Sequence, residues 1–134
     1  MKATIGVLLG DPNGVGPELA VKALSDPELR AKANILVIGD QNVLLHGEKD
    51  ADRKLLISVV KNVEDADHGG ESLPFLDVPA IEASDIKPCT VTAEAGRSCV
   101  EALRKALTLG QEHAIDGFCF APLNKKALGM GGAS

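Results

Sequence analysis

Two short apolar runs separated by one helical segment constrain this chain more than any other feature. Ala3 to Leu9 reads Ala-Thr-Ile-Gly-Val-Leu-Leu and closes abruptly on Gly10-Asp11-Pro12. A continuous β-rich run of this length predicts a strand buried on both faces. After Asn13-Gly14-Val15-Gly16, Pro17 stands where a helix favours its first residue, and Glu18 suits the positive end of the helix dipole. Leu19, Val21, Ala23 and Leu24 continue that helix until Ser25-Asp26-Pro27 stops it. Asn34 to Ile38 is a second buried strand, ended by Gly39-Asp40. Strand, helix and strand at this spacing require a crossover connection. The expectation is an α/β fold, a largely parallel sheet flanked by helices.

Further along, Gln41 to Lys49 reads as a short helix, and Lys54 to Val60 as either a strand or a buried helical segment. Gly69-Gly70, Pro74, Pro79 and Pro88 punctuate the stretch from Asn62 to Pro88, which predicts loops with one or two extended pieces and a hairpin edge. Thr92 is placed to cap a long helix with Glu94 in its first turn. Ala95, Cys99, Ala102, Leu103, Ala106 and Leu107 fall on one face of it, with Arg97, Glu101, Arg104 and Lys105 largely opposite. Phe118 to Ala121 predicts another buried strand, stopped by Pro122, and Asn124 to Met130 a final helix.

Composition narrows the function classes. In 134 residues the net charge is −5 and aromatics make up 2%, so neither a phosphate-tracking basic surface nor a base-stacking platform is available to nucleic acid. No apolar run approaches the ~20 residues of a membrane span, and the opening residues lack a secretory pattern, so a cytoplasmic protein is expected. Cys89, Cys99 and Cys119 form an odd set without a C-x-x-C pair, which predicts reduced, mostly buried thiols and no metal site.

Two segments are candidates for chemistry. In the Gly10–Glu18 loop, Gly14 and Gly16 permit a tight turn before a helix N-terminus, but the spacing matches neither a dinucleotide fingerprint nor a P-loop. Asp11, Gly14 and Gly16 are therefore either organisers of the loop or neighbours of a cofactor. Both glycines are expected at positions where a Cβ would be obstructed, and Asp11 is expected to accept hydrogen bonds from loop amides. In Ala121-Pro122-Leu123-Asn124-Lys125-Lys126-Ala127-Leu128, a carboxamide and an ammonium follow a strand's carboxyl end, where open parallel sheets bind ligands. Asn124 and Lys125 can bind a phosphate or carboxylate there, or serve as a helix cap with a solvated lysine.

Taken together, Gly-Asp-Pro-x-Gly-x-Gly-Pro-Glu after the first strand and Ala-Pro-Leu-Asn-Lys-Lys-Ala-Leu after a later one resemble the two N-terminal signatures of the 4-hydroxythreonine-4-phosphate dehydrogenase family. That family includes 4-phospho-D-threonate and 4-phospho-D-erythronate dehydrogenases. The resemblance implies the isocitrate/isopropylmalate dehydrogenase-like fold, two lobes and a homodimer. It also implies NAD or NADP and a divalent metal, used to oxidise the 3-hydroxyl of 4-phosphohydroxy-L-threonine on the route to pyridoxal phosphate. Asn124 and Lys125 match the substrate-binding signature. The family's Gly-His-Thr-Glu and its three metal-binding histidines lie downstream of the last residue here, and His46, His68 and His113 match none of them. This chain is accordingly expected to be the N-terminal α/β portion, without the second lobe, catalytic residues or metal ligands, and inactive alone. Asn13 and Phe120 depart from the family's common Ala and Thr. A non-catalytic α/β interaction module and a small anion-binding protein using Gly14 and Gly16 are the other readings.

Overall fold

A computed structural model of the chain describes residues 2–122 and 124–132; Leu123 of the second motif lies outside them. The sheet is built from β1 (Thr4–Leu8), β2 (Asn34–Gly39), β3 (Ile57–Val60), β4 (Leu73–Asp77) and β5 (Gly117–Phe120), in the order β3-β4-β2-β1-β5. Every pairing is parallel, with Ile5 opposite Ile35 on one side and Gly117 on the other. The helices are α1 (Gly16–Leu24), α2 (Pro27–Lys32), α3 (Gln41–Ala51), α4 (Ala93–Gln111) and α5 (Lys125–Met130). Among the described residues no helix is long and apolar enough to cross a membrane.

The central strand explains the layering. Alternate residues of β2 point to opposite faces, and both sets are apolar. Ile35 and Val37 join Ala20, Val21 and Leu24 of α1 and Val43 and Leu44 of α3 in one core. Leu36 and Ile38 join Leu8 and Ile115 with Ala102, Ala106 and Leu109 of α4 in the other. Helices thus cover both faces, with α1 packed on α3 and α5 packed on α4.

Several expectations need correction. Ser25-Asp26-Pro27 ends α1 but also starts α2, because Asp26 accepts from the Glu28 amide at 2.9 Å and Pro27 suits a first turn. The punctuated stretch holds no hairpin edge; instead β4 is a buried parallel strand between β2 and β3. Its Pro74 is tolerated because the Leu73 amide points to Leu56 of the β3 side, turning Pro74 towards β2, where pairing begins only at Val37–Phe75. The strand expected to be buried at Phe118 to Ala121 is an edge of the described sheet, with Cys119 exposed and Phe120 52% exposed. Cys89 is exposed as well, leaving Cys99 as the buried thiol of the three. On α4, Leu107 faces solvent, whereas Val100 and Leu109 are buried.

Candidate functional site

The order of strands reverses between β1 and β5, and the chain leaves these two strands towards opposite faces. From β1 it enters α1, and from β5 it enters α5 beside α4. Open α/β sheets bind ligands in the crevice this creates beyond the strands' carboxyl ends. Both sequence motifs converge there. The Asp11 amide donates to the Pro122 carbonyl at 3.0 Å, and the Ala121 amide donates to the Leu8 carbonyl at 3.1 Å.

Glycine at position 10 is required twice over: its φ is +83°, and a Cβ would stand 2.7 Å from the Pro122 carbonyl oxygen. At Gly16 a Cβ would come within 2.8 Å of the Leu9 oxygen and 3.1 Å of the Pro122 oxygen. Gly14 differs. It is exposed, and a Cβ there would make only ordinary contact, 3.5 Å from the Asp11 carboxylate, so the obstruction expected at Gly14 is absent. In this loop the places where a Cβ on Gly10 or Gly16 would stand are taken by the carbonyl oxygens of Leu9, Ala121 and Pro122. Its glycines let two backbones close on one another.

Asp11 is 7% exposed, and its Oδ1 accepts from the Asn13 amide at 3.0 Å while its carbonyl accepts from the Gly14 amide at 3.0 Å. It organises the turn from within. Behind the turn, the Cys99 thiol donates to the Gly10 carbonyl at 3.2 Å. Burial, reinforced by the Asp11 charge, pushes that thiol up to about 12, so it stays protonated.

The second motif opens α5. Asn124 caps this helix, its Oδ1 accepting from the Ala127 amide at 3.0 Å, so the donor its side chain can offer a ligand is Nδ2. Lys125 is exposed at the first helical position. Neither lines the wide groove of about 800 Å³ beyond the ends of β2 and β4. That groove is rimmed by Asp40, Asp77, Glu82, Asp85 and Glu94 against Arg97, a balance that disfavours a phosphorylated ligand. Asp40 is committed structurally, accepting from the amides of Asn42, Ala80 and Ile81 at 2.7 to 3.0 Å. Among the described residues no group of three or more His, Cys, Asp or Glu is placed to hold a metal ion.

Sequence reasoning gave Asn13 no partners, yet it is the most connected side chain of the loop. It is 3% exposed, its Oδ1 accepts from the Lys87 amide at 2.7 Å, and its Nδ2 donates to Thr92 Oγ1 at 3.2 Å. Gly10 was likewise missed; its place before Asp-Pro at a strand end was the available signal.

Comparison with known proteins agrees with this geometry. The family model described as "Pyridoxal phosphate biosynthetic protein PdxA" matches residues 31–134. A protein of Symbiobacterium thermophilum, named by inference as a D-threonate 4-phosphate dehydrogenase, is 31% identical over 92% of this chain and 37% of its own. Among solved structures, a 4-hydroxythreonine-4-phosphate dehydrogenase from Burkholderia phymatum superposes with a TM-score of 0.90 at 31% identity, over 98% of this chain and 40% of that one. Its counterpart from Klebsiella pneumoniae gives 0.85 at 28% identity, over 98% and 40%. This chain thus spans about two fifths of the length of the relatives it matches. With the family model covering residues 31–134 and both motifs joined at the β1–β5 crevice, the chain belongs to the PdxA family of pyridoxal phosphate biosynthetic proteins.

Proposed function

We propose that this chain is the N-terminal α/β portion of a two-lobed, NAD- or NADP-dependent dehydrogenase. The substrate is 4-phosphohydroxy-L-threonine or a related 4-phosphorylated hydroxy acid, oxidised at its 3-hydroxyl on the route to pyridoxal phosphate. The enzyme works in the cytoplasm as a homodimer. The observation that carries this reading is the junction of the two motifs at the β1–β5 crevice, where the Asp11 amide meets the Pro122 carbonyl. The printed names of the relatives, dehydrogenases of threonine- or threonate-derived phosphates, support the substrate class.

Within this arrangement the chain binds and orients. The exposed Lys125 ammonium neutralises a phosphate or carboxylate as a point charge, and Asn124 Nδ2 adds a directional donor. The loop from Gly10 to Gly16 backs the link that carries both, fixing where they stand. In this reading the nicotinamide cradle and the divalent metal's ligands come mainly from the rest of the two-lobed enzyme; among the described residues no group of three or more His, Cys, Asp or Glu is placed to hold a metal ion.

In the full-length protein, Lys125→Ala lowers kcat/KM for the phosphorylated substrate by about 10- to 100-fold. Its melting temperature stays within about 1 °C of wild type, since an exposed side chain contributes little to stability. An unchanged kcat/KM removes Lys125 from the site.

A further inference from the structure

We infer that Asn13 is a positioning residue that clips the segment from Lys87 to Thr92 onto the β1–α1 loop, so that three chain segments form one rigid rim around the β1–β5 crevice. For its effect on turnover, this inference rests on the dehydrogenase reading above. Lys87, Pro88, Cys89, Thr90 and Val91 are all exposed, and Cys89 holds a φ of +64°, a left-handed conformation uncommon outside glycine. A segment with so little buried apolar surface is not held by packing. Its attachments are polar, and they lead to one residue.

Asn13 Oδ1 accepts from the Lys87 amide at 2.7 Å, its carbonyl accepts from the Cys89 amide at 2.8 Å, and its Nδ2 reaches Thr92 Oγ1 at 3.2 Å. Its own amide donates to Asp11 Oδ1 at 3.0 Å. Three polar atoms of one buried residue thus hold two loops together, and the fourth fixes Asn13 within its own turn. Thr92 passes the constraint on, because the same hydroxyl caps α4 by accepting from the Ala95 amide. One residue beyond, Gly96 lies against the Ala127 carbonyl of α5, the helix that begins with Lys125. The path from Asn13 through Thr92 and α4 to α5 therefore closes a ring with the direct bond from Asp11 to Pro122. Loosening Asn13 lets the substrate-binding side of the rim shift without touching a reacting atom.

The test is made on the full-length protein, comparing Asn13→Ala with wild type by amide hydrogen exchange and by steady-state kinetics. Exchange at both Lys87 and Cys89 accelerates by about tenfold or more, while β1 and β2 amides keep their protection. Cys89 is the informative position, since its acceptor is a main-chain oxygen that the substitution leaves in place. KM for the 4-phosphorylated hydroxy acid rises about tenfold with kcat within about twofold, the pattern of lost positioning in the ground state. Should Asn13→Ala not fold, Thr92→Val removes the Asn13 Nδ2 bond together with the α4 cap, so it is read at the Cys89 amide, which the cap does not hold, and is expected to show the same pattern more weakly there. Thr92→Ser, which keeps the hydroxyl, stays at wild-type values. A Cys89 amide that remains protected, or kinetics unchanged per folded molecule, overturns the inference. If wild type turns over no phosphorylated hydroxy acid, the dehydrogenase reading fails instead, and the exchange pattern alone decides the clip.

Discussion

Cys99 shows how one buried residue ties the candidate site to the stability of the fold. Its thiol sits behind the β1–α1 loop and donates to the Gly10 carbonyl, in the field of the Asp11 carboxylate. Desolvation first, and that charge second, raise it from an ordinary value of 9.0 to about 12. The folded chain therefore keeps a proton that the unfolded chain loses between these two values. The associated stability is complete below pH 9 and drains away as pH rises towards 12, by at most about 1.4 kcal/mol per pH unit from this group. In a denaturant series over that range, the difference in unfolding free energy between wild type and Cys99→Ala should shift steadily against wild type; a difference that does not change with pH would show that the thiol is not desolvated. The same burial makes Cys99 slow towards an alkylating reagent at pH 8, whereas the exposed Cys89 and Cys119 are accessible to it.

Elements meet most closely where α5 lies on α4. A Cβ on Gly96 would fall 1.6 Å from the Ala127 carbonyl oxygen, and one on Gly131 would fall 2.2 Å from the Arg97 nitrogen, so the two helices touch backbone to backbone. Helix α5 has six residues and one buried side chain, Ala127, and it has no packing to spare. Gly96→Ala should lift it away: the Leu128 and Gly131 amides, which donate to Asn124 and Ala127, lose exchange protection while β1 and β2 keep theirs. Full protection of α5 in that variant would mean the contact can relax. Local pattern made β1, β2, α1, α3 and α4 legible, because each carries its apolar period and its own start and stop signals. It hid β4, since Pro74 reads as a breaker unless one knows which neighbour its missing N–H would have faced. The exposure of β5 was equally hidden: four apolar residues look the same at an edge as in the middle of a sheet. Asn124 and Lys125 could be singled out because strand, proline and helix are adjacent in the chain. The work of Asn13 could not, because its partners Lys87 and Thr92 stand 74 and 79 positions away.

At the scale of the whole molecule, the five-stranded sheet provides a floor and one rim, and the chemistry proposed for it needs more than a rim. Oxidising an unactivated secondary alcohol takes a bound nicotinamide, a group that stabilises developing negative charge, and a positioned base, all at once. The candidates near the crevice between β1 and β5 are Asp11, whose amide meets the Pro122 carbonyl, and, following in sequence, Asn124 and Lys125. Of these, Asp11 is buried with a carboxylate oxygen bonded inside its own turn, and Asn124 has its oxygen bonded to a helix amide. Lys125 is a charge, exposed to solvent, suited to holding an anion. No group of metal-ligating side chains assembles among the described residues, and the glycines nearest the crevice face carbonyl oxygens. The 134 residues alone should therefore show no turnover when supplied with NAD or NADP, a divalent metal and 4-phosphohydroxy-L-threonine. A protein carrying these residues at the full length of the relatives should oxidise the phosphorylated hydroxy acid. Nicotinamide absorbance at 340 nm, followed with and without a chelator, separates the cases. Reproducible turnover by the 134 residues that a chelator abolishes would place a complete site inside this chain, and the division of labour proposed for it would have to be redrawn.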